Sequence, residues 1–478
     1  MKRLLKTLIR LSLALLSFSL CGQTYDTVLA NGRVMDPESG LDAVRYIGIR
    51  GNRIEAISST PLQGKMTVDV HGLVVAPGFI DLHSHGQDDE NYHFKAHDGV
   101  TTAMELEIGV WPVPQFYQSR EGKALINFGA SSGHVPARMA VMHDTGDFLP
   151  RDEAAHRIAT EEETLSIVND VRQGLDDGAI GIGFGIAYVP TASRQEILRL
   201  FQLASDRHVP VFVHMRGGVP GESQSGSLPA LQEVIADAAV TGAALHVVHI
   251  TSVSGRLTPI AIQMIEGARK HGLDVTTEMY PYTASATRIE SALFDGDWEK
   301  RTGSKYQDLQ WVATGERLTA ETFAKYRIQG GAVISHTLPE GALLFGIKSP
   351  LVMFASDGRL VGGKGHPRSS GTFARVLGVY VREQKIVPLM DALRRMTLMP
   401  AQRLEACVPS MRNKGRIKVG ADADLVAFDP DRVIDKATFE NAAQYSEGIE
   451  HVMVGGVFVL RNGKFVEGVF PGVGMRTR

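Results

Sequence analysis

Cysteine is almost missing from this chain: among 478 residues only Cys21 and Cys407 occur. If an amino-terminal export segment is removed at or after Cys21, one thiol remains, which excludes a disulfide framework and a cysteine-based metal centre. Charge of one sign is equally scarce. With 50 Lys and Arg against 53 Asp and Glu the formal net charge is −3, and no basic stripe interleaves with aromatics, so nucleic acid is not an expected partner. No glycine-rich phosphate fingerprint follows the first apolar strand, which tells against a doubly wound dinucleotide-binding sheet.

What is present is ordinary for a soluble globular protein, 44% hydrophobic and 22% charged. The opening "MKRLLKTLIRLSLALLSFSLCGQ" is the exception, with Lys2, Arg3, Lys6 and Arg10 ahead of an apolar run from Leu11 to Leu20. It reads as a signal peptide over residues 1–22, directing the chain to the periplasm or beyond. The run is too short to span a bilayer comfortably, so no stable membrane span is expected in the mature form. A lipid on Cys21 is the less favoured alternative, because Leu20 is bulky for a lipoprotein cleavage site.

The length calls for a large domain and a smaller companion. After the signal, "TYDTVLANGRVMDPESG" and "RYIGIRGNRIEAI" alternate apolar and polar residues around tight turns, and "ADLVAFDP" and "HVMVGGVFVLRNGKFV" repeat that texture near the end. Residues 24–75 and 417–478 are therefore expected to build one small β-sandwich from both chain ends. Between them, over 76–416, lie eight apolar β-branched runs: "FIDLHSH", "TTAMELEIG", "ALINFGA", "GAIGIGFG", "VPVFVHMR", "ALHVVHIT", "DVTTEMYPY" and "LVMFASDG". Amphipathic stretches such as "SRQEILRLFQLASDR" separate several of them. Eight strand–helix alternations predict a parallel (β/α)8 TIM-type barrel. A segment at about 288–345 breaks the rhythm and is expected as an insertion between strands seven and eight, placed to act as a lid.

In such a barrel the chemistry gathers at the carboxyl ends of the strands. His83 and His85 end the first strand, Glu105 and Glu107 the second, His214 the fifth, His249 the sixth and Asp357 the eighth. Taken singly, each has a plain structural explanation: an HxH pair arises by chance, a strand histidine is satisfied in the core, and an Asp in "SDG" caps a turn. An acid in an apolar strand is harder to explain away, since a buried carboxylate without a cation or donors costs several kcal/mol. Glu107 lies nearer the carboxyl end and is preferred to Glu105 as a ligand. Imidazoles and a carboxylate together suit Zn²⁺, as one ion or two, with other divalent transition metals as alternatives. A metal-bound water has its pKa lowered from about 15.7 to about 7, which makes hydrolysis by hydroxide the expected chemistry, with Asp357 as its base.

With these residues in place, "PGFIDLHSHG", the spaced histidines and the "SDG" aspartate resemble the amidohydrolase superfamily. More closely, "AYVP", "HMRGG", "MYPYTAS", "HPRSSGTFARVLGVYVRE" and "GADADLVAFDPDRVIDKATFENAAQYSEGI" are similar to the N-acyl-D-amino-acid deacylases. The resemblance covers residues about 25 to 470. It implies that His83 and His85 line the more open metal position, that Glu107 bridges, that His214 and His249 hold the tighter ion, and that Asp357 is catalytic. It also implies that Arg368 and Tyr188 grip the substrate's α-carboxylate, with Ser285 assisting. His134 and Arg138, in "GHVPAR", resemble a further motif of open role. Two departures stand out: the family's bridging cysteine in "GNCG" is replaced by "ELEIG", and the lysine common after the strand-six histidine is absent, Ile250, Thr251 and Ser252 following His249.

The expected activity is hydrolysis of small N-acyl-D-amino acids to a carboxylate and a free D-amino acid. A dipeptidase or cyclic-amide hydrolase on the same fold is the alternative enzyme. A non-catalytic barrel scaffold is the alternative of another class, and would lack the ligand set. The residues are silent on acyl group, side chain and oligomeric state.

Overall fold

A computed structural model describes residues 24–217 and 227–477. The expected signal peptide and Cys21 lie outside the described residues.

Strands β1 (Tyr25–Asp36), β2 (Leu41–Arg50), β3 (Arg53–Ser58), β4 (Gly64–Asp69) and β5 (Val74–Pro77) come from the amino-terminal part. They join β19 (Leu425–Phe428), β20 (Ile449–Val454), β21 (Val457–Arg461) and β22 (Lys464–Phe465) in one sheet of order β22-β21-β20-β19-β5-β1-β2-β3, with β4 parallel to β1. The two chain ends meet where β5 pairs antiparallel with β19. Leu29, Val34, Ile47, Ile54, Leu425 and Met453 form an apolar core belonging to this sheet.

Eight further strands form the parallel sheet: β6 (Phe79–Asp81), β7 (Val100–Val110), β8 (Asn127–Gly133), β9 (Ile182–Gly185), β10 (Val211–His214), β11 (Leu245–Val247), β12 (Val275–Met279) and β16 (Val352–Phe354). They stand in chain order around the barrel, and each falls on one of the eight apolar runs. Val211, Val213, Leu245, Val247, Val275 and Val352 are wholly buried. Each such side chain contributes roughly 1.5–3 kcal/mol relative to exposure, which is why these runs need no polar face. Helices cover the barrel with capped starts: Thr160 and Glu163 form a capping box on Glu161–Asp176, and Ser193 caps Arg194–Asp206.

The seam between β6 and β16 is closed by individual contacts. The Asp357 amide donates to His83 O at 2.7 Å and the His85 amide to Gly358 O at 3.1 Å. Asp81, itself buried, accepts from Lys95 Nζ at 2.8 Å and from Ser356 Oγ at 2.6 Å. Met475 belongs to one apolar cluster with the barrel residues Ile80, Met104, Phe212 and Met353. The segment at 472–477, expected in the small sandwich, thus runs against the barrel, its Met475 amide donating to Phe128 O at 2.7 Å.

Between β12 and β16 the chain builds β13 (Ser285–Arg288), β14 (Leu309–Trp311) and β15 (Ala332–Ser335), an antiparallel sheet of order β13-β15-β14. Ile289, Phe294, Trp298, Trp311 and Phe323 give it an apolar cluster of its own. This excursion opens at Ser285 and ends before helix Glu340–Lys348, which packs on helix Thr258–Lys270 in the outer ring. The remaining pair, β17 (Leu360–Val361) and β18 (Lys364–Gly365), is a hairpin just after the eighth barrel strand.

Candidate metal centre

Four imidazoles converge on Glu107 at the carboxyl ends of the barrel strands. Glu107 Oε2 lies 3.3 Å from His83 Nε2 and 3.1 Å from His85 Nε2. Its Oε1 lies 2.6 Å from His214 Nδ1 and 3.7 Å from His249 Nε2. Asp357 Oδ1 closes the group at 3.5 Å from His83 Nε2 and 3.3 Å from His85 Nε2. His83, Glu107 and His249 each bring a donor atom within 4.8 Å of the others, as do His83, His85 and Asp357.

The outer nitrogens of the HxH pair are fixed by carboxylates. Glu105 accepts from His85 Nδ1 at 2.8 Å, so it stands behind His85 while Glu107 faces the centre. Glu278, on β12, faces His83 Nδ1 at 2.9 Å and accepts from the His249 amide at 2.7 Å. Glu278 is not among the residues expected from sequence, although an acid in the apolar run "DVTTEMYPY" carries the same signal as Glu105 and Glu107.

Two backbone positions are strained: His249 has φ +33° and Asp357 φ +50°. Non-glycine residues in such regions cost about 1–3 kcal/mol each and persist where surrounding contacts over-determine them. Here the His249 amide is held by Glu278 and the Asp357 amide by His83 O.

The electrostatics are unbalanced. Glu105, Glu107, Glu278 and Asp357 set four carboxyl groups against one guanidinium, that of Arg368. Burial alone favours neutral imidazole, but Asp357, Glu107 and Glu278 outweigh it and push His83 up to about 10. His85 is likewise held well above its ordinary value, burial being outweighed by Glu105, Asp357 and Glu107. Burial opposes the charge on Glu107, yet its four histidine neighbours hold it well below the usual carboxylate range. His83 Nε2 and His85 Nε2 stand 3.1 Å apart. Two ring nitrogens converging on one carboxylate oxygen among four carboxyl groups is the donor set of a divalent cation, and the residues fit one.

Beside this centre, Arg368 Nη1 approaches Asp357 Oδ2 at 2.9 Å. Arg368 is 3% exposed, its guanidinium lies over the Tyr280 ring at 4.3 Å, Nη2 donates to Ala286 O at 3.3 Å, and Nε makes no hydrogen bond within the described residues. A surface ion pair is thereby ruled out for it. Burial opposes ionisation of Asp357, but Arg368 with His83, His85 and His249 holds its carboxyl below the usual range. The Tyr188 ring meets His214 edge-on at 4.9 Å. Burial and the charge of Glu107 keep its hydroxyl protonated, far above the ordinary tyrosine value.

His85, Glu107, Tyr188, Asp357 and Arg368 line a cavity of about 430 Å³. Phe148, Leu149 and the excursion residues Trp311 and Ala332 supply apolar wall. From β13 the lining residues are Ala286, Thr287 and Arg288; Ser285 is not among them and pairs with Ser335 instead. His134 and Arg138 lie apart from the cluster, both bound to Glu196: His134 Nε2 at 2.6 Å and Arg138 Nη1 at 2.6 Å.

Curated and solved relatives match over nearly the whole chain. It is 29% identical to the N-acyl-D-glutamate deacylase of Alcaligenes xylosoxydans xylosoxydans, across 91% of this chain and 93% of that one. It is also 29% identical to the D-aminoacylase of the same organism, across 93% and 96%. The crystal structure of N-acyl-D-glutamate deacylase from Bordetella bronchiseptica, complexed with zinc and a phosphonate inhibitor that mimics the tetrahedral intermediate, superposes with a TM-score of 0.80 at 26% identity, covering 95% of this chain and all of that one. The barrel, its histidine–carboxylate cluster and the family model that matches residues 74–459 agree, and the chain belongs to the amidohydrolase family.

Proposed function

We propose that the protein is a metal-dependent hydrolase that removes the acyl group from N-acyl-D-amino acids. The observation that carries this reading is the buried Arg368 guanidinium, adjoining the cation-demanding cluster through Asp357 and floored by the Tyr280 ring. A guanidinium fork pairs with a carboxylate in two parallel charge-assisted bonds. A free α-carboxylate seated there lies beside the centre, as an amino acid bearing a scissile amide requires. The similarity to N-acyl-D-glutamate deacylase and D-aminoacylase supports the D-configured product.

In this reading His83, His85, Glu107, His214 and His249 hold one or two ions, with zinc favoured by the donor set and by the zinc-bound relative. When bound, such an ion acidifies water and polarises the acyl carbonyl. Asp357 receives the proton of the attacking water at Oδ1, the oxygen facing His83 and His85, and delivers it to the departing amine. Arg368 and the protonated Tyr188 hydroxyl orient the α-carboxylate, while Phe148, Leu149 and Trp311 exclude water from the cavity. The opening 22 residues are proposed to export the chain, which cell fractionation tests.

The direct test is a panel of N-acetyl-D- and N-acetyl-L-amino acids, D-terminal dipeptides and hydantoins, assayed with added zinc. Turnover of the N-acetyl-D series is expected; cleavage of hydantoins alone rejects the reading.

A further inference from the structure

Glu278 is buried completely, and all of its hydrogen bonding is concentrated on one oxygen. Oε1 faces His83 Nδ1 at 2.9 Å and accepts from the His249 amide at 2.7 Å, whereas Oε2 has no hydrogen-bond partner among the described residues. A buried carboxylate with an idle oxygen is costly. A residue kept only to fill space on β12 gains nothing from that charge.

Glu278 serves two histidines that follow different strands, His83 after β6 and His249 after β11. On His83 it acts through the ring: an acceptor at Nδ1 keeps the proton there, leaves Nε2 as a lone pair aimed at Glu107, and raises the basicity of that lone pair. On His249 it acts through the backbone: the amide it accepts belongs to the residue with φ +33°, ψ 54°, and this bond holds the left-handed turn that points the ring at Glu107. Glu105 differs, since both of its oxygens address His85 alone, at 3.0 and 2.8 Å.

We infer that Glu278 is a positioning residue for the metal centre, setting the tautomer and basicity of His83 and the backbone turn of His249 through a single oxygen. The inference rests on the reading that the cluster holds a divalent ion. It adds that affinity for this ion is governed from β12 by a residue that contributes no donor atom to it.

The charge and the geometry are separable by substitution. In Glu278→Gln the amide oxygen can accept from both His83 and His249, and the new NH2 group takes the place of Oε2, which touches no partner. That variant keeps the shape and removes the charge. Glu278→Ala removes both.

Zinc dissociation constants of the full chain, measured by chelator competition at fixed pH, are read beside melting temperatures of the zinc-free proteins. Glu278→Gln is expected to weaken zinc about tenfold, within the range of about 10- to 100-fold for lost outer-shell partners of metal-bound histidine, in a protein whose metal-free melt still shows it folded at the temperature of the titration. Glu278→Ala is expected to weaken zinc further. Zinc bound by Glu278→Gln within twofold of the parent overturns the inference and leaves the metal reading standing. A parent that takes up no zinc sinks both. The Gln variant keeps the test decisive even if the Ala variant fails to fold.

Discussion

Two buried clusters at the carboxyl ends of the barrel strands use the same ingredients, histidine, carboxylate and arginine, and arrive at opposite electrostatic states. In one, Glu196 is met by Arg138 at 2.6 Å and His134 at 2.6 Å, while Arg138 spends further donors on Ala154 O and Arg157 O. One negative charge faces one positive charge, and only His134 Nδ1 lacks a partner. In the other, four carboxylates face one guanidinium and the imidazoles are crowded nitrogen to nitrogen. Histidine beside carboxylate therefore does not define a metal centre; several imidazoles and carboxylates converging with too few cationic side chains to pair them do. The first cluster braces the loop at 143–157 that brings Phe148 and Leu149 to the cavity; the second has the donor set of a divalent cation.

The sharpest way to separate them is by what each variant loses. Asp357→Asn is expected to lower kcat by roughly 10²–10⁴-fold on N-acetyl-D-amino acids, the usual worth of a positioned acid–base group, with circular dichroism unchanged. Wild-type rates from that variant reject the proton path. Glu196→Gln is expected to cost about 3–5 kcal/mol in urea unfolding, because Arg138 is left buried without its counter-charge, while zinc per folded molecule stays at the parent value. Loss of zinc without loss of stability would erase the distinction between the clusters. Arg368→Lys is expected to raise KM on the order of tenfold, one charge-assisted bond's worth, with a smaller change in kcat; an unaffected KM removes Arg368 from the carboxylate site.

A smaller effect concerns pH. In the metal-free protein His83 and His85 have pKa values raised above the unfolded 6.5, His83 to about 10. The stability His83 contributes is complete below about 6.5 and is lost as pH rises through about 10, and that of His85 is lost as pH rises through its own raised value. The metal-free melting temperature is therefore expected to fall across that window. Zinc-loaded protein should be nearly flat there, because the ion takes the place of the protons. Parallel melting curves at pH 6.5, 8 and 9.5 check this.

Much of this was legible in the chain itself. The eight barrel strands were readable because a strand buried on both faces must be apolar throughout, and turn residues mark its ends. The convergence of His83, His85, Glu107, His214, His249 and Asp357 followed once they were placed at strand ends. Glu278 is hard to single out from sequence because it sits one residue before the end of its strand, in a run whose neighbours Met279 and Tyr280 look like core. The pairing of Arg138 with Glu196 spans 58 residues and leaves no periodicity to read. Ser285 rests on motif resemblance alone, and it is not among the residues that line the cavity. The segment around Met475 could not be placed from texture, since its docking on Phe128 depends on the finished barrel.

The seam of the barrel carries a final consequence. His83 and His85 follow the first strand and Asp357 follows the last, and these strands meet through scattered contacts instead of a continuous ladder. An ion held by His83 and His85 against Asp357 would act as a clasp on the ring of strands. Stripping it should quicken amide hydrogen exchange along residues 80–85 and 354–358 ahead of the other staves, so that the catalytic centre doubles as the place where the barrel first comes undone.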